Sequence, residues 1–162
     1  MGDLTPILRR PEDGRIVSLG TGGEVTLKVE REDSSGSMTA YEFTVPPRTA
    51  GPPIHIHRTW DELFFVLEGE MTFLLDEETH TAPMGSTVFI PRGRQHTFWN
   101  AGDVPARQLT VFTPSGIENY FDAVSADLVR GGEESIDAAR ELMRQHDMIV
   151  PEQNGPAYGS FN

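Results

Sequence analysis

Three of the five histidines in this 162-residue chain, together with one glutamate, fall inside two short windows between residues 51 and 100. The first runs Gly51-Pro52-Pro53-Ile54-His55-Ile56-His57 and continues through Glu62 to Gly69. The second contains Gly85, Pro91, Gly93, His96 and Asn100. Three neutral imidazoles and one carboxylate are a ready ligand set for a divalent transition metal. The chain has no cysteine, so disulfides and thiolate ligands are excluded and a metal site must be built from nitrogen and oxygen donors. His80, in the acidic hairpin turn that begins Asp76-Glu77-Glu78-Thr79, and His146, near the end of a helical pattern, lack such company and are expected in solvent.

Strands must position these groups. Residues two apart on a strand share a face, so His55 and His57 aim into one cavity while Ile56 faces away. Glu62 follows His57 by an odd interval, which on one flat strand would put it on the opposite face. A bend or bulge is therefore expected within Arg58-Thr59-Trp60-Asp61. From Glu62 onward Phe64 and Val66 share its face, while Leu63, Phe65 and Leu67 take the other. Both faces are apolar, as in a strand covered on both sides. His96 lies on a separate strand beyond the turn signal Pro91-Arg92-Gly93, with Phe98 and Asn100 on its face. Phase with the ligands makes Phe64 and Phe98 candidate walls of a substrate pocket. Tyr41 and Phe43, from an earlier strand, read first as core aromatics and are added to that pocket.

Further strand signals fall near 16–19, 24–30, 38–45, 54–58, 62–67, 70–76, 87–90, 95–100 and 106–113. Many short strands separated by Gly, Pro and Asn turns imply an antiparallel sandwich or barrel. After residue 113 the period changes. Ser115-Gly116-Ile117-Glu118 has the form of a helix capping box, followed by an apolar stripe of Ile117, Tyr120, Phe121, Val124 and Leu128. A second helix is expected over 135–146, with Ile136, Ala139, Leu142 and Met143 on its buried side. Both helices are expected to pack against the outside of the barrel. The organisation read from the chain is an arm over 1–15, a barrel over 16–113, and helices with a tail over 114–162. The tail from Val150 has no periodicity and leaves three roles open: loose, wrapped on a partner subunit, or covering the cavity mouth.

The second window, G-S-T-V-F-I-P-R-G-R-Q-H-T-F-W-N, fits the cupin pattern G-x5-P-x-G-x2-H-x3-N at every fixed position. The first, H-I-H-R-T-W-D-E-L-F-F-V-L-E-G, fits H-x-H-x4-E-x6-G. The family's leading glycine usually lies five residues before the first histidine, whereas Gly51 lies closer, which points to a different loop ahead of the strand. The chain thus resembles the cupin superfamily over roughly residues 16–113. That resemblance implies an all-β fold, the cupin double-stranded β-helix or jelly-roll barrel, here with a C-terminal helical extension. It also implies one divalent transition metal ion per chain, held by His55, His57, Glu62 and His96; the donor set suits Fe, Mn, Ni, Co, Cu or Zn. Cupins host many chemistries, so the fold does not name the reaction. The arrangement looks like that of quercetinase-type dioxygenases, in which the glutamate also deprotonates the flavonol, and this makes Glu62 the candidate catalytic base. Two other classes remain open: a non-redox metal cupin cyclase or isomerase, and a binding protein for a small molecule or metal without turnover.

Composition bounds the partners. Against 13 basic residues stand 25 acidic ones, for a net charge of −12, so nucleic acid and anionic membrane surfaces are disfavoured and a small-molecule substrate is expected. There is no apolar run of membrane-spanning length. The segment Met1-Gly2-Asp3-Leu4-Thr5-Pro6 lacks the features of a signal peptide, so a cytoplasmic location is expected. Because Leu63, Phe65 and Leu67 leave an apolar outer face, a homodimer is expected, as the resemblance also implies.

Overall fold

Ten strands, with alternation clearest over Asp61–Glu68 and Ala106–Thr113, precede the two α-helices. The computed structural model describes residues 4–131 and 135–152. Its strands are β1 (Arg15–Ser18), β2 (Glu24–Val29), β3 (Thr39–Val45), β4 (His55–His57), β5 (Asp61–Glu68), β6 (Glu70–Leu75), β7 (Glu78–Pro83), β8 (Thr87–Ile90), β9 (Gln95–Trp99) and β10 (Ala106–Thr113). Then come α1 (Glu118–Val129), α2 (Ile136–Gln145) and a short β11 (Met148–Ile149). One antiparallel sheet has the order β1-β2-β3-β10-β5-β8 and the other β11-β4-β9-β6-β7. The two sheets enclose the core of a jelly roll. On β10 every second residue (Ala106, Gln108, Thr110, Phe112) is buried, and on β5 Glu62, Phe64 and Val66 face the same interior. Phe64 packs edge-on against Phe73 and Phe98, with ring centres 5.1 and 5.3 Å apart.

The step from β4 to β5 is larger than the expected bulge. β4 belongs to the five-stranded sheet and β5 to the six-stranded one, so residues 58–60 carry the chain from one sheet to the other, with Arg58 and Thr59 exposed and Trp60 buried. Glu62 therefore faces His55 and His57 from the opposite wall, and strand parity between them has no meaning. Gly51, ahead of β4, is required by space: a Cβ there would lie 1.4 Å from the Phe98 carbonyl oxygen. Gly69 turns β5 into β6 at φ +71°, against the Pro105 carbonyl.

Four expectations are corrected. Only Asp76 and Glu77 turn the hairpin after β6, Asp76 with φ 54°; Glu78 onward is strand β7, and His80 lies on it with a half-exposed side chain. β7 is polar and almost wholly exposed, so it shows no apolar alternation, and its pairing with β6 alone makes it a strand. β11 was also unforeseen: two residues that pair with β4, Met148 opposite His57. The capping box does not form. Among the described residues Ser115 Oγ has no hydrogen-bond partner and the Ser115 N–H donates to the Gly36 carbonyl, while Glu118 turns back to accept from the Gly116 N–H (2.9 Å), the Thr39 hydroxyl and the Arg31 N–H (3.1 Å). Finally, α1 and α2 do not simply coat the barrel, because their apolar stripes line its cavity. Among the described residues no helix is long and apolar enough to cross a membrane. Of the tail, residues 153–162 lie outside the described residues.

Glu118 thus pins the start of α1 to β3 and to the chain leaving β2. Replacing it with alanine removes the acceptor shared by three donors: the buried Thr39 hydroxyl, the Gly116 N–H, which keeps a 3.3 Å contact to Thr39 Oγ1, and the part-buried Arg31 N–H. Glu118→Ala is expected to cost about 2–3 kcal/mol and to lower Tm by roughly 4–10 °C in thermal denaturation followed by circular dichroism. A Tm within a degree of the parent would show that Glu118 does not hold the helix.

Candidate metal centre and its cavity

The pairing of β4 with β9 sets His55 directly opposite His96, with ring centres 4.3 Å apart. His57, two residues along the same face, completes the imidazole cluster at 4.7 Å from His55 and 5.1 Å from His96. Glu62 enters from β5, flanked in register by Phe112 and Ile90. All four side chains are buried, none more than 4% exposed, and one ligand atom from each lies within 4.8 Å of the others. Ligands held at roughly 2.0–2.2 Å from one ion are at most about 4.4 Å apart, so this cluster is the size of a metal cage.

Hydrogen bonding tests the fit independently. His55 Nδ1 donates to the Pro53 carbonyl at 2.8 Å, which fixes the tautomer and leaves Nε2 as a lone-pair donor. His96 has Nδ1 3.2 Å from the Arg94 carbonyl and Nε2 3.0 Å from Glu62 Oε2. Both ring nitrogens of His96 thus face acceptors, and a neutral imidazole has only one proton to give. A cation between Nε2 and the carboxylate would satisfy both contacts with that single proton. His57 Nε2 lies 3.2 Å from the same Glu62 oxygen, and its buried Nδ1 has no partner. The donor set fits a divalent transition ion.

The electrostatics agree. Burial, reinforced by His96 and His57, pushes the His55 imidazole well below its ordinary range, so it is neutral and able to ligate. Burial alone would raise the Glu62 carboxyl, but hydrogen bonds and charge from His57 and His96 outweigh it and hold the group below its ordinary value. Burial and the nearby Glu62 charge push the Tyr41 phenol well up, so its proton stays in place.

The cage opens on a cavity of about 320 Å³ lined by His55, His57 and Glu62. Tyr41, Phe43 and Phe98 line it as well. Phe64 does not: it is fully buried behind Phe98 and Phe73, and its assignment to the pocket wall is corrected here. Among the wall residues not foreseen for the pocket, two groups matter most. Phe112 stands edge-on to the His57 ring at 5.2 Å, and its inward phase on β10 was a usable signal. Residues of α1 and α2 form the other group, and nothing in their periodicity says what they cover. Asn100, the last fixed residue of the second window, does no chemistry. Its amide donates to the carbonyls of Val45, Pro46 and Val104 and accepts from the Gly102 N–H, locking the loop after β9.

Residues 41–112 match the family model described as a cupin domain. An uncharacterized protein of Methanocaldococcus jannaschii is 34% identical over 61 residues, covering 38% of this chain and 49% of that protein. The chain thus spans about half the length of this curated relative. KdgF from Halomonas sp. superposes with a TM-score of 0.62 at 14% identity, covering 71% of this chain and 99% of its own. A predicted oxalate decarboxylase from Thermotoga maritima gives 0.58 at 21% identity, with 67% and 99% covered. The polyketide cyclase RemF from Streptomyces resistomycificus gives 0.56 at 25% identity, with 67% and 81% covered. Residues 41–112 thus match a cupin-domain model, and the barrel has the fold of the solved structures it superposes on.

Proposed function

We propose that this protein is a metal-dependent cupin enzyme acting on a small aromatic or enolisable substrate, and that its reaction is a dioxygenation of the quercetinase kind. One observation carries the reading: Glu62 belongs to the buried cage and also lines the cavity, so one carboxylate reaches both a metal ion and a substrate. A bound divalent transition ion would polarise a substrate hydroxyl and, where redox-active, support reaction with dioxygen. Glu62 is placed to take the proton of that hydroxyl. His57 and His96, whose Nε2 atoms lie 3.2 and 3.0 Å from its Oε2, would share the ion with Glu62 and so keep the carboxylate beside it. The Tyr41 phenol, kept protonated, is a hydrogen-bond donor on the cavity wall. Phe43, Phe98 and Phe112 exclude water and favour a flat apolar ring. A second reading, a non-redox cyclisation, draws support from the 25% identity to a polyketide cyclase. Product formation without oxygen would select it. Oxygen uptake coupled to consumption of a flavonol or catechol would select the first.

The metal assignment has its own test. His55→Ala and His96→Ala should each lose most of the metal in elemental analysis while the far-ultraviolet spectrum of the barrel stays unchanged, since the core does not rest on the cage. Retention of metal by either variant would remove that residue from the ligand set. For the base, Glu62→Gln with the metal site filled should lose activity by about 10²-fold or more, because an amide cannot accept the proton at neutral pH. Activity restored by excess metal would leave Glu62 a ligand only.

The outer face of the six-stranded sheet supports a homodimer. Leu63 sits between Phe89 and Val111 in register, and Phe65 sits beside Leu109; Phe89 is 59% exposed and Phe65 37%. Contiguous apolar surface of this kind marks an interface. Light scattering should give the dimer mass, and Phe89→Glu should give the monomer. A parent protein that is monomeric at micromolar concentration would end the proposal.

A further inference from the structure

The cavity has two unlike walls. The barrel side carries the histidines, Glu62 and an aromatic collar that the first turn of α1 continues with Tyr120 and Phe121, the latter edge-on to Tyr41 at 4.9 Å. Beyond that turn the helix side is aliphatic: Val124 and Leu128 from α1, and Ile136, Ala139, Leu142 and Met143 from α2. Asp127 and Ser135 are the polar residues among these, and Ser135 Oγ already accepts from the Ala138 N–H as the cap of α2. Of the aliphatic six only Met143 is fully buried; the others keep accessible surface although they sit on the apolar stripes of their helices. A stripe that merely closed a barrel would lose that surface to packing.

Both helices lie beyond residues 41–112, the span that matches the cupin-domain model. The aliphatic wall is thus supplied by segments outside that span. A ring bound at the cage satisfies the aromatic collar and leaves the helix wall bare. A cavity of about 320 Å³ is at the small end for organic ligands, roughly 300–1,000 Å³, which suits a ring with a short appendage.

We infer that the substrate is amphipathic, with a flat hydroxyl-bearing head at His55, His57 and Glu62 and a short saturated hydrocarbon chain against α1 and α2, whose side chains set the accepted chain length. This rests on the metal-site reading above for the head and on the helix wall alone for the chain.

The test uses a series of 4-alkylcatechols, methyl to octyl, titrated calorimetrically into the full chain with and without bound metal. Each added methylene should tighten Kd by about fourfold until the wall is filled, after which the gain stops. Ala139→Phe should move that limit to shorter chains and Leu142→Ala to longer ones, a pair of opposite shifts that loss of folding cannot mimic. Affinity independent of chain length, or a limit that neither variant moves, would overturn the inference; where the catechol head still binds only in the presence of metal, the metal-site reading survives that outcome. A chain-length limit that is the same with and without metal would uphold the aliphatic wall and remove the metal from head recognition.

Discussion

Burying a carboxylate in a barrel filled with phenylalanine, valine and methionine costs several kcal/mol unless charge or hydrogen bonds answer it, and the arrangement around Glu62 is the answer. Three imidazoles converge on it from the opposite sheet. They converge because β4 and β9 pair in the one register that puts His55 across from His96. That register depends in turn on the close approach of Gly51 to the Phe98 carbonyl and on the Asn100 lock behind it. A shift by one residue would turn the histidines outward and leave Glu62 alone in an apolar interior, so the cage reinforces the β4–β9 register that Gly51 and Asn100 already set.

The cage was legible in the sequence because its members sit at fixed intervals and their chemistry is distinctive. The barrel was legible because alternation persists wherever one face is buried. β7 was not, since an exposed edge strand of charged and hydroxyl residues obeys no apolar period. Phe64 shows a subtler limit. Its inward phase was read correctly, but inward is not the same as lining a void: Phe73 and Phe98 across the interior fill the space in front of it. Which inward residue borders empty volume depends on the partners opposite, and no single strand carries that information.

The helices show the same limit on a larger scale. Amphipathicity states that one face of α1 and of α2 avoids water. It cannot say whether that face meets packed atoms or a chamber. Here the stripes meet both: Phe121 and Met143 are buried in the core and also border the cavity, beside more exposed neighbours that line it too. Glu118 contributes by anchoring the start of α1 through Thr39, Gly116 and Arg31, so the wall stands at a defined distance from the cage.

The pairing of β11 with β4 sets an order of events. The strand that bears His55 and His57 is only three residues long, and one of its two hydrogen-bonding edges is satisfied by residues 148 and 149, about ninety positions later in the chain. A contact so distant in sequence carries a loop-closure cost that is met only once the intervening barrel is in place, and during synthesis it waits for the last described strand to emerge. The two-histidine strand is therefore among the last parts of the molecule to become rigid. A donor cage that depends on this strand takes its final shape only then, late in folding.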